Sequence, residues 1–279
     1  MRKNQAPLSS KPKISYAQPD DPWLTRHLIL CIENLLGRRR VQKVYDNLKL
    51  EPFELRSFFQ RAIAETGISI NYDHNQLSKL PKKGPLVIVA NHPFGLIDGM
   101  ILCHLATQAR GNFRILINSV LCRDRDLAPY FLPVDFSAGK KAAKSNLLMS
   151  QSAIQAMNQG IPVLIFPSGF VSTANNFGFG EVTDAPWTNF AAKIIKKSGA
   201  AVVPIYFHGK NSRSFHIASK IAEPLRMALL IREARSKFGE SVRVNIGDTI
   251  AASELSDFQK RSALTQFLYH SVQQLAHVA

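Results

Sequence analysis

Cysteine is scarce in this 279-residue chain, which has only Cys31, Cys103 and Cys122. They are odd in number, widely separated and outside any CxxC or Cys/His zinc spacing. That excludes a disulfide scaffold and predicts no metal site and free thiols in a reducing compartment. Long apolar runs are missing too. None approaches the roughly 18 residues that would cross a bilayer, and residues 1–22 lack the apolar core of a signal peptide, so a cytoplasmic place is expected. Acidic residues are few: 20 Asp and Glu stand against 35 Lys and Arg, a formal net charge of +15. An excess of that size implies an anionic partner, whether nucleic acid, an anionic membrane or an acidic protein. The chain has no Walker A loop to imply ATP and no RNA-recognition signature, and no repeat of roughly 20–50 residues is visible. A nucleic-acid partner would rest on charge alone and is not expected.

Hydrophobic residues are plentiful at 46%, enough for a sizeable core. The length fits one large α/β domain, or a core domain with a helical N-terminal annex. Residues 1–22, rich in Lys, Ser and Pro, read as a mobile basic arm. Beyond it Leu24, Leu28, Cys31, Ile32 and Leu35 share one helical face, with Arg38, Arg39 and Arg40 directly after. A broad apolar face beside cations suits a membrane interface of anionic lipid. It equally suits a core helix whose cations complement its C-terminal dipole. A second amphipathic helix is expected over 52–66, completing a helical N-terminal region, 23–75.

Strand patterns follow at 86–90, 114–118, 162–166, 201–207 and 242–246, with helical patterns at 99–109, 140–159, 187–198 and 225–237. Such alternation predicts an α/β fold, a mainly parallel sheet flanked by helices, over residues 76–255. Residues 256–279 are expected to form a C-terminal helix.

Two strand ends carry the chemistry. The run from Val87 to Ala90 leads into Asn91-His92, a turn containing Pro93 and Gly95, then Asp98. Residues six apart do not meet on a regular helix, so His92 and Asp98 can meet only if a turn separates them, and Pro and Gly are the residues for one. An imidazole oriented by a carboxylate is a general base for a hydroxyl or amine. The same residues also suit a structural histidine and an aspartate that caps the next helix. The second strand end is Ile161–Phe166, followed by Pro167, Ser168, Gly169, Phe170, Val171, Ser172 and Thr173, a turn able to offer N–H groups and hydroxyls to a polar head group. Ser168 lacks the first glycine of a G-x-S-x-G elbow, which disfavours a serine esterase. Between the two lie Asn118, Arg123, Arg125, Lys140, Lys141 and Lys144, able to bind phosphate or an acidic carrier or simply to be solvated.

Taken in order, Asn91-His-Pro-Phe-Gly-Leu-Ile-Asp98, Asn118-Ser119, Pro133-Val-Asp135, Phe166-Pro-Ser-Gly169 and Val203-Pro-Ile205 resemble the blocks of the glycerolipid acyltransferases. The resemblance is to their bacterial haemolysin-like, lysophospholipid acyltransferase-like branch. It extends to Trp23–Tyr45, Phe207–Ser212 and Leu225–Glu233, and covers roughly residues 20–250. The resemblance implies His92 as general base, Asp98 as its orienting partner, and direct attack of an acceptor hydroxyl on the thioester of acyl-carrier protein or acyl-CoA, with no cofactor. It implies a peripheral enzyme on the inner face of the membrane, with a lyso-lipid acceptor and an anionic membrane surface as partners. Asn91, Asn118, Arg123, Lys140, Lys141, Phe166, Ser168 and Gly169 are the expected substrate-binding residues. A non-catalytic lipid- or carrier-binding protein of the same fold is the alternative.

Two departures stand out. The common H-x₄-D motif is H-x₅-D here, as in the haemolysin-like branch. The usual F-P-E-G-T-R has become Phe166-Pro-Ser-Gly-Phe-Val171, so the arginine that contacts glycerol phosphate in the family is missing.

Overall fold

The computed structural model describes residues 9–10, 12–17, 21–118, 123–135, 139–175 and 178–278, apart from the side chains of Lys141 and Pro224. Cys122 and the substrate-binding role expected of the Lys141 side chain lie outside the described residues.

Seven strands form the main sheet: β1 (Ser69–Asn71), β2 (Leu86–Ala90), β3 (Arg114–Asn118), β4 (Phe131–Val134), β5 (Val163–Ile165), β8 (Ala201–Phe207) and β9 (Ser241–Ile246). Two short strands, β6 (Thr173–Ala174) and β7 (Val182–Thr183), pair antiparallel as a separate ribbon. The sheet order is β1-β9-β8-β2-β5-β3-β4. Strands β8, β2, β5, β3 and β4 run parallel, whereas β9 runs antiparallel to β8 and carries β1 parallel to itself. The mainly parallel expectation therefore holds, with two reversed strands at one edge.

Strand β2 explains why the sheet is buried on both sides. Leu86, Ile88 and Ala90 belong to one core cluster and Val87 and Val89 to another, so every residue of the strand is covered. An uninterrupted apolar run, rather than an alternating one, is what two-sided burial requires. One face is covered by helices α3 (Leu55–Thr66) and α5 (Leu96–Arg110), the other by α6 (Lys140–Asn158), α7 (Phe190–Ser198) and α11 (Arg261–Gln274). Strand β2 lies between β5 and β8, and its C-terminal end faces the crevice where parallel α/β sheets place ligands.

A smaller core lies to one side. Helices α1 (Trp23–Leu35) and α2 (Arg38–Leu48) pack on α9 (Glu223–Ser236), joined by α8 (Arg213–Ile221); short helices α4 (His74–Ser78) and α10 (Ala252–Ser256) complete the set. Three expectations are corrected here. The arginines at 38–40 do not end the first helix but begin a second, because Gly37, at φ +105°, breaks the chain between them. The described part of the 1–22 arm is anchored: Tyr16 and Ala17 are buried, and Glu33 accepts hydrogen bonds from the Ser15 hydroxyl at 2.6 Å and the Tyr16 N–H at 2.8 Å. The 256–279 helix is α11 alone, followed by a 3₁₀ turn at Leu275–His277.

Candidate active site

Directly after β2 the chain turns through Pro93–Gly95 and enters α5 at Leu96. Gly95 sits at φ +89°, and a Cβ there would press on Leu230 and Val171 at 3.2 Å. Both conformation and space therefore call for glycine. The turn brings His92 Nδ1 to 3.0 Å from Asp98 Oδ2. The pair is at hydrogen-bonding distance but off hydrogen-bonding alignment, a looseness common before substrate binds. With Nδ1 facing Asp98, Nε2 is the nitrogen left for an acceptor.

Asp98 is placed between both partners considered from its sequence, the helix start and His92. Its Oδ2 accepts from the backbone N–H groups of Phe94 at 2.8 Å and Gly95 at 2.9 Å, so it caps α5 from inside the first turn. The same oxygen faces His92. Asp98 is fully buried, and that desolvation raises its carboxyl above the usual aspartate range, against the lowering pull of His92 and the two N–H donors.

The imidazole is fixed from other sides. The Phe166 ring, just past β5, stacks on it at 4.0 Å between centroids and 20° between planes. The His92 carbonyl accepts from the Ser172 N–H at 2.8 Å, and its own N–H donates to Asp184 Oδ1 at 3.3 Å. Asp184 also accepts from the Ser172 hydroxyl at 2.5 Å and the Trp187 indole N–H at 2.9 Å. It thereby ties the two turns together. Asp184 escaped the sequence reading because no motif spacing links it to a residue so distant in the chain.

His92, Phe166, Gly169, Asn118 and Arg123 line one cavity of about 640 Å³, within the size of small-molecule sites. Its wall is mostly apolar, with Leu96, Met100, Ile117, Phe131 and Val134 among the lining side chains. Other expected binding residues lie elsewhere. The Asn91 amide is engaged in the scaffold, its Nδ2 donating to the Phe207 carbonyl at 2.9 Å and its Oδ1 accepting from the Phe207 N–H at 2.7 Å, which locks β2 to the end of β8. Ser168 is buried, and its hydroxyl donates to the Phe170 carbonyl at 2.9 Å; it has no histidine partner of the kind a serine nucleophile needs. Lys140 opens α6 as an exposed side chain outside the cavity wall. Arg123 reaches the wall, but one guanidinium nitrogen already donates to the Ala17 carbonyl at 2.9 Å. A cation that sequence reasoning did not assign, Arg226 of α9, lines the same cavity, with its guanidinium over the Phe170 ring at 5.6 Å.

A family model described as Acyltransferase matches residues 19–272. The chain belongs to this acyltransferase family. The lyso-glycine lipid O-acyltransferase of Bacteroides thetaiotaomicron is 32% identical over 151 residues, 53% of this chain and 52% of that protein. The protein of the same description from Phocaeicola vulgatus is 30% identical over 151 residues, 53% of this chain and 51% of its own length. The chain thus spans about half the length of these relatives. Among solved structures, the crystal structure of the 1-acyl-sn-glycerophosphate acyltransferase PlsC from Thermotoga maritima matches with a TM-score of 0.53 at 14% identity, covering 90% of this chain and 87% of the other. That likeness shows the fold, and with it the mainly parallel sheet flanked by helices.

Proposed function

We propose that this chain is an O-acyltransferase that moves a fatty acyl group from an acyl thioester, borne by acyl-carrier protein or CoA, to the hydroxyl of a lyso-lipid at a membrane surface. The observation that carries this reading is the His92–Asp98 pair, 3.0 Å apart, with His92 on the wall of a large apolar cavity and Asp98 buried behind it. His92 Nε2 takes the acceptor hydroxyl's proton as its oxygen attacks the thioester carbonyl. Collapse of the adduct breaks the C–S bond, and the imidazolium returns the proton to the leaving thiolate. Asp98 stabilises the imidazolium formed between the two steps. The apolar wall suits an acyl chain, since each buried methylene contributes about 0.8 kcal/mol.

The relatives' description as acting on a lyso-glycine lipid, together with the missing acceptor arginine at Phe170-Val171, favours an amino-acid lyso-lipid over glycerol phosphate. Membrane attachment is supported by α1. Ile29 and Glu33 face inward, whereas Trp23, Leu24, Leu28 and Leu35 are more than half exposed. Exposed Arg39 and Arg40 follow in the chain at the start of α2, and among the described residues no helix is long and apolar enough to cross a membrane.

Purified protein supplied with acyl-CoA or acyl-carrier protein should acylate a lyso-aminolipid faster than lysophosphatidic acid, and glycerol 3-phosphate slowest. Efficient acylation of glycerol 3-phosphate would overturn the acceptor assignment. Failure to consume thioester with any acceptor would leave a lipid-binding protein. Replacing Arg38, Arg39 and Arg40 with serine should release the protein from anionic vesicles, each cation contributing about 1 kcal/mol; unchanged sedimentation would remove the membrane role.

A further inference from the structure

Arg226 is the least explained charge in the cavity. Among the described residues its guanidinium forms no hydrogen bond and has no carboxylate within 4.0 Å, and its Nε is buried without a partner. Burial lowers its pKa, against the weaker raising influence of Glu223 and Tyr16. A half-buried guanidinium with no carboxylate in contact is partly desolvated, and an anion bound in the cavity would supply the contact that Glu223 gives only at a distance.

Its position says which ligand. Leu230, one helical turn further along α9, is the residue that a Cβ at Gly95 would meet at 3.2 Å, so this face of α9 packs on the turn that carries His92. Arg226 is four residues earlier on the same face, about 6 Å along the helix axis, and lines the same cavity as His92. It also lies over Phe170, beside the position where the family's acceptor arginine would stand. Arg123, the other cavity-lining arginine, is already bonded to the Ala17 carbonyl. One unoccupied guanidinium suits a single negative charge, and its planar fork matches a carboxylate.

We propose that Arg226 is the head-group receptor of the acceptor, binding a free carboxylate that lies a few bonds from the hydroxyl presented to His92. The acceptor class is then a lyso-lipid whose head group ends in a free carboxylate, with Arg226 supplying from α9 the cation missing from the Phe166–Val171 turn. This rests on the acyl-transfer reading above and narrows its substrate.

Two measurements on the full chain test it. In the first, acyl transfer from acyl-CoA is compared between N-(3-hydroxypalmitoyl)glycine and its methyl ester. The wild-type protein should prefer the acid by about ten- to a hundredfold in kcat/KM, the range for a charge-assisted hydrogen bond. In Arg226→Gln that preference should collapse towards one, through the acceptor's KM, and Arg226→Lys should restore it in part. Equal use of acid and ester by the wild type needs no variant to interpret and would overturn the proposal, as would a full acid preference in a folded Arg226→Gln protein. A preference for lysophosphatidic acid over the amino-acid lipid, lost in the same variant, would also overturn it, assigning Arg226 to a phosphate.

The second measurement is calorimetric binding of N-palmitoylglycine, which has no hydroxyl to acylate. Arg226→Gln should weaken its Kd at least tenfold. Arg226-dependent binding with no transfer to any acceptor would remove the catalytic reading and leave this proposal standing. Binding indifferent to the variant would do the reverse.

Discussion

The turns after β2 and β5 are written in the same vocabulary, an apolar strand, a proline, a glycine and polar side chains at the sheet's C-terminal end, yet they use their polar groups differently. After β2, His92 keeps its imidazole on the cavity wall while the residues around it are bonded to the frame: Asn91 to Phe207, Asp98 to its own helix start. After β5, Ser168 turns inward to the Phe170 carbonyl and Ser172 to Asp184, leaving Phe166 and Gly169 on the cavity wall. One turn presents a titratable side chain to the cavity, and the other presents shape. The difference lies in satisfaction: a short hydroxyl reaches its own backbone easily, whereas an imidazole stacked under Phe166 does not.

The sharpest way to break this contrast is to truncate the presented group. His92→Ala should lower turnover by about 10²–10⁴-fold, the contribution of a positioned general base, while thermal unfolding stays close to wild type. A folded His92→Ala protein with near-normal turnover would end the catalytic reading. Asp98→Asn separates cap from orientation, because an amide oxygen can still accept from Phe94 and Gly95. We expect turnover to fall on the order of 10²–10⁴-fold with the helix start preserved. The pH dependence gives a second readout. With Asp98 raised by burial, the native state binds that proton more tightly than the unfolded chain. Its contribution to stability therefore decreases as pH rises from the ordinary aspartate range through the raised native value. Denaturation midpoints in that window should slope less in Asp98→Asn; an identical slope would show that Asp98 is not the group responsible.

A smaller effect should come from the brace between the turns. Asp184 touches the His92 backbone, the Ser172 hydroxyl and the Trp187 indole, so in the proposed reaction it acts only through position. Misplacing a catalytic group by about 1 Å costs about 10²-fold, so Asp184→Ala should lose on the order of tenfold to a hundredfold in kcat with KM little changed. Asp184→Asn, which keeps an acceptor oxygen, should recover part of it. A loss confined to KM would place Asp184 in substrate binding instead.

What the sequence alone makes legible follows the same division. Both strand ends, the turn at Pro93–Gly95 and the β2, β3 and β8 boundaries are local patterns, and the structure places them where the pattern does. The short strands β1 and β4 were not visible because three or four residues carry no period, and pairing alone defines them. The meeting of His92 with Phe166, and of Arg226 with Phe170, depends on strand order and helix packing across long stretches of chain. The resemblance includes Ser212 and Glu233 without a role for either, and Asn91 as a substrate-binding residue. In the fold Glu233 accepts from the Ser212 N–H at 2.8 Å and its hydroxyl at 2.5 Å, and Asn91 clamps Phe207. Recognisable blocks thus include hidden clamps as well as chemistry, and only hydrogen-bond partners separate the two.

Ser168→Ala is the smallest change and the most pointed test of the contrast, because it removes the residue that replaces the family's glutamate. The Ser168 side chain is 1% exposed and donates to the Phe170 carbonyl at 2.9 Å. Losing that bond should cost about 1 kcal/mol of stability, lowering the melting temperature by about 2–4 °C for a chain of this size. Turnover with the preferred acceptor should stay within about threefold, since the hydroxyl faces its own backbone and Gly169, not Ser168, meets the cavity. A fluorophosphonate should leave Ser168 unlabelled for the same reason. If Ser168→Ala instead abolished transfer without loss of stability, the turn after β5 would present chemistry as well as shape, and the acceptor would have to be placed against its hydroxyl.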